Sequence, residues 1–122
     1  MRALAVAFLT VAVLSGCGGG GGTPAQPAGS IKVTLTEFHF DPSAITIPSG
    51  KVVFFVVNAG NNLSHDMIIR DSTGKILGGS DLISSGDSTV FTVPNIAAGT
   101  YVFFCDQPGH ESSGMKGTLT VT

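Results

Sequence analysis

Residues 100–121 have the sequence TYVFFCDQPGHESSGMKGTLTV. An apolar run that ends on Cys105 and an alternating run that begins after Gly117 predict two β-strands. The polar loop between them places Cys105, His110 and Met115 within eleven residues. A thiolate, an imidazole and a thioether form a donor set that suits copper, provided that one more imidazole comes from elsewhere in the chain.

The chain from Ile31 onward alternates branched or aromatic residues with polar ones, and Gly, Pro, Asn and Ser interrupt this pattern at short intervals. Turn residues such as Pro94-Asn95 separate the runs. About eight short strands in a domain of this size predict an all-β fold, an antiparallel Greek-key β-sandwich. The predicted strands are Ile31–Thr36, Ala44–Ile47, Val52–Asn58, Asp66–Arg70, Lys75–Leu77, Ser88–Val93, Thr100–Cys105 and Gly117–Val121.

Two of these strands are predicted to lie in the interior of their sheets. Residues 52–57 and 102–104 are continuous apolar runs rather than alternating ones. Such runs are typical of strands that are covered on both faces.

Residues 1–16 are predicted to be an export signal. Arg2 precedes an apolar run over residues 3–14, which is too short for a transmembrane helix of roughly 20 residues. The following Leu14-Ser-Gly-Cys17 resembles the lipobox of bacterial lipoproteins, which implies cleavage before Cys17 and lipidation of its thiol. An ordinary cleaved signal with an incidental cysteine is the alternative interpretation.

Residues 17–30 are rich in Gly and Pro and have little to bury, so they predict a flexible tether for a domain at residues 31–122. Several acyl chains on Cys17 would anchor the protein stably. We therefore expect a lipid-anchored protein on the outer side of a bacterial membrane, either periplasmic or at the cell surface. Cys17 and Cys105 are not expected to form a disulfide bond, because one lies at the signal junction and the other in the candidate metal loop.

The charge of the chain argues against nucleic-acid binding. Six Lys and Arg residues stand against eight Asp and Glu residues, a formal net charge of −2, and no basic cluster is present to meet phosphates.

Three histidines are available to complete a metal site: His39, His65 and His110. His65 lies in a turn-rich segment before a predicted strand, and a sandwich brings the loops at one end of its two sheets together. His39 lies between two Phe residues in an alternating stretch and is predicted to face solvent. Each donor alone has an ordinary interpretation, since a lone Cys or Met is commonly a core residue and a loop His is commonly solvated. Their joint occurrence on one loop favours a metal site.

The same residues resemble the cupredoxins, the small blue-copper proteins related to plastocyanin, azurin and auracyanin. The resemblance implies that His65 and His110 are imidazole ligands of one copper ion, Cys105 is the thiolate ligand and Met115 is the weak axial ligand. Four residues stand on each side of His110, a spacing that departs from plastocyanins and, on the Met115 side, from azurins and auracyanins. The motifs that carry the resemblance are Phe38-x-Phe-x-Pro42, Ile45-x-Ile-x-x-Gly50, His65-Asp66, Gly99-Thr-Tyr-x-Phe-x-Cys105, Pro108-Gly-His110 and Gly114-Met-x-Gly-Thr118.

Asp66 stands where many relatives have Asn. Its carboxylate is expected either to steady the ligand loop or to be a solvated acid at the start of a strand.

These observations predict a monomeric one-electron carrier rather than an enzyme, with redox proteins such as cytochromes or membrane electron-transfer complexes as partners. The resemblance implies that electrons pass through the exposed edge of His110, with Leu63, Pro108 and Gly109 as neighbours. Acids at 106 and 111 either favour a basic docking partner or only keep the loop soluble. A copper-trafficking or copper-storage protein outside the cytoplasm is the alternative function. A structural zinc site is disfavoured because a thioether is a poor zinc ligand.

Overall fold

The structure is a computed structural model that describes residues 24–122. These residues form nine β-strands and no helix, and so contain none that could cross a membrane. The predicted signal peptide, Cys17 and the first part of the predicted tether lie outside the described residues. The strands are β1 (Ile31–Thr36), β2 (His39–Asp41), β3 (Ala44–Ile47), β4 (Gly50–Asn58), β5 (Ile68–Arg70), β6 (Ile76–Gly79), β7 (Ser88–Ile96), β8 (Gly99–Phe104) and β9 (Lys116–Val121).

The strands form two sheets that pack as a sandwich. One has the order β2-β1-β4-β7 and the other the order β3-β9-β8-β5-β6. The prediction of an all-β sandwich is confirmed, but the prediction that it is wholly antiparallel is wrong, because β1 pairs parallel with β4 and β3 pairs parallel with β9. Side chains alternate across a strand in the same way in both kinds of pairing, so sequence periodicity does not reveal this difference.

The largest differences from the predicted strands are at β2 and β7. Of the others, β1 and β3 have the predicted bounds, and the remaining five differ by one or two residues at one or both ends. The three-residue β2 was missed because it is shorter than the window in which alternation can be recognised. Strand β7 continues through Pro94 to Ile96, where a turn was predicted. Because β7 is an edge strand that pairs only with β4, the N–H that Pro94 lacks is not required by a second neighbour.

The core lies between the two sheets and is filled by aliphatic and aromatic side chains from both. Strands β4 and β8 are interior strands, as their continuous apolar runs predicted, and Phe54, Phe55 and Val56 are all buried. Phe40 of one sheet meets Phe103 of the other edge to face, with their ring centroids 5.1 Å apart. Both rings are fully buried, so the sheets are held in a fixed relation to each other.

Candidate metal centre

The pairing of β5 with β8 brings two distant loops to the same end of the sandwich. These strands are antiparallel, with Ile68 at the start of β5 opposite Phe104 at the end of β8. His65 lies three residues before β5, and Cys105 directly follows β8. The sheet register therefore places side chains that are forty residues apart in sequence next to each other.

Three donor atoms converge at this end. The Nδ1 atom of His65 lies 3.1 Å from Nδ1 of His110 and 4.0 Å from Sγ of Cys105, and the Sγ of Cys105 lies 3.4 Å from Nδ1 of His110. A point equidistant from the corners of a triangle with these three sides lies about 2.1 Å from each corner. Bonds from a metal ion to nitrogen and sulfur ligands in proteins are about 2.0–2.3 Å long, so the triangle has the size of a metal site.

Met115 joins the site through the backbone of its own loop. The N–H of Cys105 donates to the carbonyl oxygen of Met115 at 3.2 Å, and the N–H of Met115 donates to the carbonyl oxygen of His110 at 3.1 Å. The Met115 side chain is fully buried. All four predicted ligands are therefore gathered at one end of the sandwich, three of them by a loop that is hydrogen-bonded to itself.

The chemistry of this donor set fits a soft cation. Two imidazole nitrogens and a sulfur face one another in a site where His65 and Cys105 have no solvent exposure. When both rings carry their proton on Nε2, the two Nδ1 lone pairs repel each other at this distance, and a cation between them removes that repulsion. A set of two nitrogens and one thiolate with a methionine nearby suits copper better than zinc or a hard cation.

Burial sets the protonation of two ligands in the metal-free protein. The pKa of His65 is lowered, first by its removal from water and then by the charge of His110, so the ring is held neutral, as a ligand must be. Burial raises the pKa of the Cys105 thiol. A metal that binds the thiolate must therefore displace a proton, which couples metal binding to pH.

Asp66 links the two ligand loops. Its Oδ1 accepts a hydrogen bond from the N–H of Asp106 at 2.9 Å, and only 5% of the residue is exposed. This contact supports the first of the two interpretations of Asp66, in which the side chain steadies the ligand loop. Burial raises the pKa of its carboxyl to about 6, and the nearby Asp106 adds to this shift.

Asn58 holds the loop that carries His65, a role that was not predicted from the sequence. Its side-chain amide donates to the carbonyl oxygens of Leu63 and Ile83, both at 2.8 Å, and its Oδ1 accepts the N–H of Gly60 at 2.9 Å. His65 itself exchanges backbone hydrogen bonds with Ile83. A lone Asn at the end of an apolar strand was the available signal, because a buried amide must find hydrogen-bond partners.

His110 is half-buried and makes an edge-to-face contact with an exposed aromatic ring that was assigned to no site from the sequence. The Phe38 ring meets the His110 ring at a centroid distance of 5.0 Å, and 36% of Phe38 is exposed. The three predicted neighbours Leu63, Pro108 and Gly109 are also exposed. His39 is exposed on β2, which confirms that it points to solvent.

Glu111 is paired with a basic side chain of the same protein. Its carboxylate accepts hydrogen bonds from both terminal nitrogens of Arg70, and the guanidinium group lies 4.2 Å from the centroid of the Phe104 ring. The Arg70 side chain lowers the pKa of Glu111. This ion pair ties the ligand loop to β5, and it weakens the expectation that Glu111 attracts a basic partner.

The chain is similar in sequence to known proteins. Residues 3–121 match the family model of the cupredoxin-like domain. The chain is 36% identical over 87 residues to plastocyanin of Scenedesmus fuscus, an alignment that covers 67% of this chain and 85% of plastocyanin.

Two solved structures have the same fold. Auracyanin B superimposes with a TM-score of 0.70 at 25% identity, over 82% of this chain and 93% of that one. Auracyanin A of Chloroflexus aurantiacus, described as a "blue" copper protein, superimposes with a TM-score of 0.63 at 23% identity, over 75% of this chain and 99% of that one.

Proposed function

The chain belongs to the cupredoxin-like family, and on that premise we propose that it carries single electrons by means of one copper ion. The ligands are His65, Cys105, His110 and Met115. The observation that carries this proposal is the triangle of two imidazole nitrogens and one thiol sulfur, with sides of 3.1, 3.4 and 4.0 Å. Bound copper supplies the one-electron change between Cu(II) and Cu(I).

The protein's part in electron transfer is to hold the donors still. Asn58 and Asp66 fix the two ligand loops by hydrogen bonds, and the interior strand β8 carries Cys105 at its end. Because this frame is stiff, the same donor positions serve both oxidation states, and little atomic motion accompanies the change of charge.

The half-buried ring of His110 is the route by which electrons leave the site. His65 and Cys105 have no solvent exposure, whereas His110 is reached from the surface beside Phe38. A partner that docks on the exposed apolar residues Phe38 and Leu63 comes close to this ring. The expected partners are redox proteins such as cytochromes or membrane electron-transfer complexes.

The donor count favours a carrier over a catalyst. Four protein donors would leave no position on the metal for a substrate, and two of them, His65 and Cys105, have no solvent exposure.

The visible and paramagnetic-resonance spectra of the copper-loaded protein test this proposal. We expect an intense blue absorption from the bond between copper and the Cys105 thiolate, and a colour that disappears and returns through cycles of reduction and oxidation. Cys105→Ser should lose the blue absorption while the far-UV circular dichroism of the sandwich is retained. A wild-type protein that stays colourless and passes copper to an acceptor chelator would instead favour the trafficking alternative.

We also propose that Cys17 carries lipid and that residues 17–30 tether the domain outside the cytoplasm. The lipobox-like sequence at residues 14–17 supports this proposal. Wild-type protein expressed in a bacterium should partition with the membrane fraction, and Cys17→Ser should release it or leave its signal uncleaved. Recovery of the wild type in the soluble extracytoplasmic fraction would contradict the anchor.

A further inference from the structure

The side chain of Glu37, just after β1, reaches the loop that leads to His65. Both of its carboxylate oxygens accept the N–H of Asn61, at 3.0 and 3.2 Å. Glu37 and Asn61 lie twenty-four residues apart in sequence, so this contact depends on the tertiary fold. The carboxylate thereby lies against the segment between β4 and the first ligand.

Gly60 makes room for this carboxylate. A Cβ atom at position 60 would lie 2.5 Å from Oε1 of Glu37 and 2.9 Å from its carboxyl carbon. Any side chain at position 60 would displace the carboxylate or the loop. The loop is therefore shaped to receive Glu37 as well as hydrogen-bonded to it.

The carboxylate also faces the far side of a ligand ring. Nδ1 of His65 points to His110 and Cys105, while Nε2 of the same ring is buried and has no hydrogen-bond partner among the described residues. Oε1 of Glu37 lies 3.7 Å from this Nε2 atom. A buried polar N–H without a partner costs about 1–3 kcal/mol, and a small movement of the carboxylate would supply the missing acceptor.

We propose that Glu37 is a positioning residue for the metal centre: its carboxylate keeps the proton of His65 on Nε2, so that the lone pair of Nδ1 faces the metal. Its negative charge also stabilises the more highly charged oxidation state and lowers the reduction potential. This inference rests on the proposed copper site. Carboxylate groups that hold the second nitrogen of a ligand histidine tune metal sites in other proteins in the same way.

The first test uses the metal-free protein and does not depend on copper. Nitrogen chemical shifts of the His65 ring, measured by NMR, report which nitrogen carries the proton. We expect the wild type to hold the proton on Nε2, Glu37→Gln to retain this tautomer through its amide oxygen, and Glu37→Ala to show a mixture of tautomers. The same tautomer populations in the wild type and in Glu37→Ala would overturn the positioning role.

The second test uses the copper-loaded protein. Glu37→Gln keeps the size of the side chain and an acceptor for Asn61 but removes the charge, so its reduction potential should rise. Glu37→Ala should show the same rise and bind Cu(II) about tenfold more weakly or worse. Glu111→Gln is the matched control, because it removes one negative charge from the loop that carries the other three ligands, where the carboxylate pairs with Arg70. We expect a smaller shift in the control.

The outcomes separate this inference from the proposed function. If the wild type and the Glu37 variants are all blue and have equal reduction potentials, the proposed carrier function stands and the proposed effect of Glu37 on the potential is wrong. A colourless wild type that still holds the His65 proton on Nε2 would overturn the copper carrier but not the contact between Glu37 and His65. If Glu37→Ala does not fold, the potential of Glu37→Gln against that of Glu111→Gln decides the matter.

Discussion

The roles of Cys105 and His110 could be predicted from the sequence. Their donor chemistry and their spacing from Met115 were sufficient to predict a copper site, and the structure places both beside His65. Glu37 and Phe38 were missed because their contacts with the ligand rings come from a loop that meets the site only in three dimensions. The residue types alone reveal which side chains can donate to a metal, whereas tertiary packing determines which groups surround those donors.

Met115 is predicted to tune the potential through its weak sulfur donor. Met115→Leu should retain copper and the blue absorption but raise the reduction potential, because loss of a thioether destabilises Cu(II) relative to Cu(I). Each tenfold change in the ratio of the two affinities moves the potential by about 59 mV. Cyclic voltammetry of the wild type and the variant measures this shift. Equal potentials would mean that the Met115 sulfur does not bind the metal.

At the scale of elements, the interior strands were predictable and the short or interrupted ones were not. Strands β4 and β8 carry continuous apolar runs, and both are interior strands of their sheets. The three residues of β2 and the Pro94 segment of β7 became strands through their partners, β1 and β4. Whether such a segment becomes a strand depends on pairing with a neighbouring strand rather than on its local sequence pattern.

The start of β9 depends on close approach between strands. A Cβ atom at Gly117 would lie 2.2 Å from the Phe103 ring of β8 and 2.5 Å from the carbonyl oxygen of Ser43. Gly117→Ala should therefore lower the free energy of unfolding by about 1–3 kcal/mol, as over-packing does in other cores. Chemical denaturation of the metal-free protein measures this loss, with the exposed neighbour Thr118→Ala as the control. Equal midpoints for Gly117→Ala and the control would contradict this packing argument.

At the scale of the whole molecule, folding stability is expected to depend on the ionisation of Asp66. The pKa of this buried carboxyl is raised from an ordinary value of 3.8 to about 6. Between pH 3.8 and about 6, the Asp66 carboxyl is mostly protonated in the folded protein but mostly ionised in the unfolded chain. The stabilisation is complete below about pH 4 and is lost as the pH rises through 6, because the ionised carboxylate is then buried.

Asp66→Asn tests this linkage. Its amide oxygen still accepts the N–H of Asp106, but it carries no charge to bury. At pH 7 the metal-free variant should be more stable than the wild type by up to about 3 kcal/mol, since one pKa unit corresponds to about 1.4 kcal/mol. The difference should shrink as the pH falls to 4. Denaturation at a series of pH values measures it, and parallel curves for the two proteins would show that Asp66 is not the group responsible.

The overall architecture was predictable to the level of an all-β sandwich, but not to the level of strand order. Each sheet contains one parallel pair of strands: β1 with β4 in one sheet, and β3 with β9 in the other. The chain crosses from one sheet to the other between β2 and β3, and β3 then pairs with β9 near the C-terminus. No local pattern records a pairing between segments so far apart in sequence.

The edge strands of the two sheets also affect the tendency of this protein to aggregate. The edge strands are β2, β7, β3 and β6. Three of them are only three or four residues long, and the nine-residue β7 contains Pro94, which has no N–H to offer a neighbour. An open strand edge can pair with a strand of another molecule and so promote aggregation. Short edge strands and proline residues make such pairing less favourable. The fold therefore protects its unpaired edges against strand addition from other copies of the protein.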